Sequence, residues 1–360
     1  MRYLAVAGGV AALALGAAGC GDDDSGSSSG GGGDGAKIAF LLPENKTARY
    51  EQQDKPSFIS SVRKLCADCE VIYQNAAQDP ARQQQQAEAA ITDGAKVLVL
   101  DAVDVKSAAA IVTRAKQAKV PVISYGRLVS DADLDYYISI DPYRVGQQQA
   151  RVLLEALGGG QGKRVVMING SPTDSNSAPY KKGAHDVLDA AGVKVVKEYD
   201  TPDWSPDKAQ TQMEQAITAV GKNGFDGVYV ANDGMAGGVI AALKGAGIDP
   251  SSRPVTGQDA ELAGVQRILA GEQLMTVYQP IAQIAETAAK LAVPLAKGEE
   301  PPAIAKSRVD NGAEKVPSVL LDTVAVDRKN VDAVIDAGFL TSSQICTAAY
   351  RKACEAAGIA

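Results

Sequence analysis

A single histidine in 360 residues leaves little material for imidazole chemistry. A histidine-rich metal centre is excluded, and a nucleophile–histidine pair would have to be built on His185 alone. No G-x-S-x-G nucleophile motif accompanies it, and its place in an amphipathic stretch reads as an exposed helix face. Lysine and arginine nowhere cluster. With 36 basic against 43 acidic side chains the net charge is −7, which argues against nucleic acid or an anionic membrane surface as the main partner. Aromatic residues are scarce, so the only tryptophan, Trp204, is conspicuous. No apolar run approaches the roughly 20 residues needed to span a bilayer. The run at residues 4–18 follows Arg2 and has the layout of a secretory signal.

That run ends in small residues before Cys20, a pattern that resembles the bacterial lipobox, with Ala17 where Leu is the usual residue. The expectation is a lipoprotein signal over residues 1–19, acylation of Cys20 and a flexible tether over 20–36, where the Gly, Ser and Asp residues offer nothing to bury. The protein is then extracytoplasmic and touches the membrane only through its lipid. Export permits disulfides, and the other four cysteines form two close pairs, Cys66 with Cys69 and Cys346 with Cys354. Each pair is suited to a local bridge, although four cysteines allow two further connectivities. As zinc ligands their spacing is poor.

From Lys37 onward, short runs rich in Val and Ile alternate with amphipathic stretches of ten to twenty residues, the pattern of parallel sheets wrapped by helices. Ten runs are too many for one ordinary sheet, so the fold class expected is α/β with two doubly wound lobes. The first break falls near residue 140 and a second crossing at 278–280. Two motif-like segments carry no chemistry. Gly158–Lys163 resembles a phosphate loop but lacks the Ser or Thr after Lys163 and runs from helix into strand, so it terminates a helix. Asp131, Asp133 and Asp135 mimic the start of a calcium loop, yet Tyr136 stands where glycine is required.

In open α/β sheets ligands lie outside the carboxyl ends of strands. Two runs in the segment 253–280 (RPVTGQDAELAGVQRILAGEQLMTVYQP) end in Gln258-Asp259 and Gln279, which suits a neutral, hydroxyl-rich molecule. This block, with YGRLVSDADLDYYISIDPYRVG at 125–146, NGSPTDSN at 169–176 and ANDGMAGGVIAAL at 231–243, resembles the bacterial periplasmic sugar-binding proteins of the type I fold, above all their D-xylose-binding members. The resemblance spans essentially the whole chain after the tether.

It implies two doubly wound lobes joined by a three-crossover hinge: residues 37–140 with 280–305, and residues 141–279 with 306–340, followed by a C-terminal tail at 341–360. It also implies a set of sugar-binding residues. Arg49 and Tyr50 match an Arg-Trp pair that donates to hydroxyls and covers an apolar sugar face. Arg127 offers a rigid fork of donors. Asn176 and Asn232 can donate and accept at once. Trp204 is placed either to stack on the sugar or to staple the next helix, with stacking preferred. Asp259 and Gln279 complete the set, Asp259 being readable also as a helix cap and Asp233 as the cap of the helix after it.

Two positions depart from the xylose-binding pattern. Gly126 stands where that pattern has Asp, and Gln279 where it has Lys, as in ribose-type binders. The function so implied is that of a monomeric receptor delivering a monosaccharide, D-xylose or a related aldopentose first, to an ABC permease and its ATPase. A sugar-sensing protein that presents its ligand to a membrane receptor is the alternative. No catalytic set, cofactor or metal is expected.

Overall fold

The computed structural model of the chain describes residues 35–359. Cys20, the signal and all but the end of the tether lie outside the described residues. No helix among the described residues is long and apolar enough to cross a membrane.

Twelve strands form among the described residues, and their apolar runs explain most of them. β1 (Lys37–Leu42), β2 (Glu70–Asn75), β3 (Ala95–Leu100), β4 (Val122–Tyr125) and β5 (Tyr136–Ile140) are joined in parallel in the spatial order β5-β4-β3-β1-β2. β1 is buried along nearly its whole length, as a strand covered on both faces must be. A second group holds β6 (Arg164–Asn169), β7 (Lys194–Asp200) and β8 (Gly227–Val230) in the order β7-β6-β8. The expected run at 254–257 contributes one parallel bridge, Val228 with Val255, and links β8 to β9 (Met275–Tyr278) through backbone bonds from Leu274 and Val277.

The remaining strands correct the expected boundary. β10 (Ser307–Asp310) and β11 (Lys315–Leu321) join the first sheet, β11 running parallel to β5, although the segment from 306 had been expected in the second lobe. Only β12 (Val324–Asp327) returns to the second lobe, antiparallel to β9. The chain therefore passes between lobes after β5, after β9 and after β11. β10 alternates half-buried and exposed residues, so its apolar signal is too thin to assign it to either sheet.

Helix starts are written in the sequence. Asp79-Pro80 and Asp141-Pro142 open Pro80–Thr92 and Pro142–Ala156, the Asp side chain accepting from backbone amides and the Pro occupying a position whose N–H would lack a partner. Helices Pro142–Ala156 and Ser177–Ala190 approach closely because Gly146 and Gly183 face each other's backbone. A Cβ at Gly146 would lie 2.0 Å from the Tyr180 carbonyl, and one at Gly183 would lie 2.1 Å from that of Tyr143. This contact seats Tyr180 at the mouth of the second lobe. Both close cysteine pairs are bridged, with Cα separations of 5.3 Å for Cys66–Cys69 and 5.8 Å for Cys346–Cys354. The second bridge closes an apolar cluster in which Cys354 and Ile345 pack with Val265 and Leu269 of helix Leu262–Ala270.

Candidate ligand-binding cleft

The carboxyl ends of the strands of both lobes face one another across a shared cavity. Arg49 and Tyr50 follow β1, and Arg127 follows β4. From the second lobe, Asn176 follows β6, Trp204 follows β7 and Asn232 follows β8, while Asp259 and Gln279 follow the 254–257 run and β9. All eight residues anticipated from the sequence line this one cavity.

The two arginines organise it by a shared rule: each lies beside an acid of its own lobe and reaches an acid of the other. Asp54 grips Arg49 with two hydrogen bonds, 3.0 Å from Nε and 2.9 Å from Nη2. Arg49 Nη1 then donates to Gln279 Oε1 at 3.1 Å and lies 3.8 Å from Asp259 Oδ1. Burial opposes the Arg49 charge, but Asp54 foremost, with Tyr50 and Asp259, more than offsets it and holds the guanidinium well above its usual pKa. Arg127 lies 3.5 Å from Asp101 of its own lobe and 2.8 Å from Asp174 of the other, and Nη1 is fixed by the Ala102 carbonyl at 2.8 Å. The surface ion pair that Arg127 could otherwise have formed is ruled out by its burial.

The polar side chains around them are partly committed and partly free. Asn232, not Asp233, caps helix Asp233–Gly245, its Oδ1 accepting from the Met235 amide at 3.0 Å, which leaves its amide hydrogens for the cavity. Asp233 is the first residue of that helix and is fully buried, accepting from Gln273, Thr276 and the Glu261 amide. Burial lifts its carboxyl to about 7. Burial, with the neighbouring Asp233 and Asp259, lifts Glu261 to about 8, and its Oε1 accepts from the Ala48 amide across the cleft at 3.1 Å. Asn176 donates to the Gly126 carbonyl of the first lobe at 3.1 Å. Trp204 is buried, donates from Nε1 to Asp174 Oδ2 at 3.1 Å, and meets the Tyr180 ring edge-on.

Asp259 is not a helix cap: helix Leu262–Ala270 begins after Glu261, with no side-chain cap. Its backbone turns through a φ of 89°, and its Oδ1 accepts from Gln279 Nε2 at 2.8 Å. Burial raises its carboxyl, against the pull of Arg49.

Sequence reasoning missed Asp54, Asp101, Asp174, Tyr180 and Gln258 as members of the site and its supports. Asp101 was findable, since it follows directly on the Val-Leu-Val-Leu run of β3, and Gln258 had been noted beside Asp259. Asp54 and Tyr180 lie on helical turns, where spacing alone does not say which face meets the cleft. Chemically, the cavity offers donors and acceptors in near balance around two guanidinium groups, with an indole as its main apolar wall.

Comparison with known proteins agrees with this architecture. Residues 38–300 match the periplasmic binding protein domain family. The D-xylose-binding periplasmic protein of Escherichia coli (strain K12) is 37% identical over 314 residues, covering 86% of this chain and 92% of that protein. The multiple sugar-binding periplasmic receptor ChvE of Rhizobium radiobacter is 30% identical, with 87% and 93% covered. The crystal structure of an ABC transporter solute binding protein from Clostridium phytofermentans with bound β-D-glucose superposes with a TM-score of 0.78 at 29% identity, covering 86% of this chain and 99% of that one. The relatives are binding proteins rather than enzymes. With its two lobes closed over a cleft at the strand ends, the chain belongs to the periplasmic binding protein family and has the type I fold of that family.

Proposed function

We propose that the cleft captures a monosaccharide, foremost an aldopentose such as D-xylose, outside the cytoplasm and hands it to an ABC permease. The observation that carries this reading is the lining itself. Each of the two arginines is flanked by two carboxylates, so neither is left bare for an anionic ligand, while the Asn and Gln side chains donate and accept as hydroxyls require. Trp204, Tyr50 and Tyr180 supply faces for the apolar side of a sugar ring. The names of the E. coli and C. phytofermentans relatives support a sugar and an ABC transporter, and the glucose in the latter keeps hexoses in the comparison.

A sugar contacting Arg49 and Arg127 from one lobe and Asn232 and Asp259 from the other makes both sets of contacts only when the lobes are shut. That differential affinity is what shifts a population toward the closed form, the form a permease can distinguish. A ligand that binds only the folded state adds about 2.7 kcal/mol at one hundred times its dissociation constant. A thermal-shift panel of pentoses, hexoses and inositols should therefore show its largest upshift with a pentose. No response to any monosaccharide, beside a clear response to a nucleoside or an amino acid, would overturn the assignment.

Retention at the membrane is assigned to an acylated Cys20, supported by the small residues before it and the Gly/Ser tether after it. The protein from its native host should partition into detergent, and Cys20→Ala should appear in the medium. Equal partitioning of the two would refute the anchor. A single acyl chain holds only weakly, so the test requires the fully processed protein.

A further inference from the structure

We infer that Asp101 contacts the bound sugar and sets its specificity, its carboxylate filling the space that a side chain at position 126 would otherwise take. The inference rests on the sugar-binding reading above and adds a residue that the resemblance does not supply.

Asp101 stands at the carboxyl end of β3, is 1% exposed and lines the cavity. Its Oδ1 has no hydrogen-bond partner in the structure. Leaving a buried carboxylate oxygen in that state is costly, so such atoms are normally satisfied. The nearest cation reaches it as an ion pair only: Arg127 Nε lies 3.5 Å from this oxygen and 2.8 Å from Asp174 Oδ2 and donates a hydrogen bond to neither. The free lone pairs of Asp101 face a cleft that, on the reading above, is filled by hydroxyl donors.

Gly126 explains why the acid must come from β3. Its φ is +66°, and a Cβ there would sit 2.5 Å from Asp101 Oδ2. Its backbone is fixed as well. The amide donates to the Ile138 carbonyl at 2.9 Å, and its carbonyl accepts from Ser139 Oγ at 2.7 Å and Asn176 Nδ2 at 3.1 Å. A side chain at 126 and the Asp101 carboxylate therefore exclude one another, and this chain carries the second. Arg127 and Asp101 then present a donor and an acceptor side by side, the pair that two adjacent sugar hydroxyls can use together.

The test is calorimetry with the sugar that gives the parent its largest thermal upshift, on Asp101→Asn and on the double variant Asp101→Ala with Gly126→Asp. Asp101→Asn keeps the size and should melt near the parent when empty yet bind at least about tenfold more weakly. The double variant returns a carboxylate to the same space, on a residue type that tolerates positive φ better than most. It should bind more tightly than Asp101→Ala alone, with a changed ranking between pentose and hexose. An Asp101→Asn protein that binds within twofold of the parent overturns the inference and leaves Asp101 a counter-ion, as does a loss of stability with affinity intact. A parent that binds no monosaccharide at all overturns the sugar reading and this inference with it, so the two failures are distinguishable.

Discussion

Replacing Asp54 by alanine is expected to destabilise the empty protein by about 3 to 5 kcal/mol, the cost of removing one partner of a buried ion pair. Asp54 is fully buried and meets Arg49 in the bidentate geometry that makes guanidinium–carboxylate pairs strong, and it also accepts from the Tyr125 hydroxyl. Without it, the buried Arg49 keeps a neutral Gln279 oxygen at 3.1 Å and a carboxylate at 3.8 Å, too little to offset its desolvation. Urea denaturation read by circular dichroism measures the loss directly. Removing both charges, as Asp54→Leu with Arg49→Leu, should cost less than Asp54→Ala alone, because no uncompensated guanidinium remains. A single variant within about 1 kcal/mol of the parent would show that Arg49 swings free of the cleft when Asp54 is absent.

This pair shows where sequence reading succeeds and where it stops. β1, β3 and β6 are continuous apolar runs, and a run buried on both faces announces itself without any partner. β10 and β11 do not: β10 is an edge strand whose alternation of half-buried and exposed residues resembles a loop, β11 beside it has only two fully buried positions, and nothing local tells to which lobe the chain has returned. The site follows the same division. Strand ends located Asp259 and Gln279, and the resemblance to a family located Arg49, Arg127, Asn176, Asn232 and Trp204.

Two of the acids beside the arginines, Asp54 and Asp174, were not legible. Asp54 lies one turn beyond Arg49 on a π-helical segment, Tyr50–Asp54, whose geometry ordinary helical spacing does not anticipate. Asp174 meets Arg127 only because the lobes are closed. Asp233 illustrates a smaller displacement: a helix beginning one residue earlier than expected makes Asn232 the cap and turns Asp233 inward.

The cleft also shows how closure and ligand binding share atoms. Backbone and side-chain bonds away from the cavity already cross between lobes, from the Val105 amide to the Thr173 carbonyl at 3.1 Å and from the Leu128 amide to Ser175 Oγ at 2.8 Å. Inside it, the Arg127–Asp174 and Arg49–Gln279 contacts join the same two lobes through groups that a sugar would also use. A ligand therefore has to replace or extend these contacts, and affinity depends on how many acceptors remain free for it.

Asp259 is the acceptor on which that count turns. Its contacts with Gln279, Gln258 and Arg49 all fall on Oδ1, so on the proposed reading the second oxygen is the one left for a ligand hydroxyl. Charge-assisted hydrogen bonds of this kind in a water-poor cleft are worth about 1.5–3 kcal/mol, and losing the acceptor leaves a buried hydroxyl unpaired. Asp259→Asn isolates the charge. Asn is among the few residues that adopt positive φ readily, so the 89° turn at this position persists, and since no helix is capped by Asp259, no cap is lost. The variant should melt near the parent when empty and bind its sugar at least about tenfold more weakly, a difference of about 1.4 kcal/mol in calorimetry. Unchanged affinity would mean that Asp259 serves only to orient Gln279 and Arg49, and would remove the acidic wall of the second lobe from the binding site.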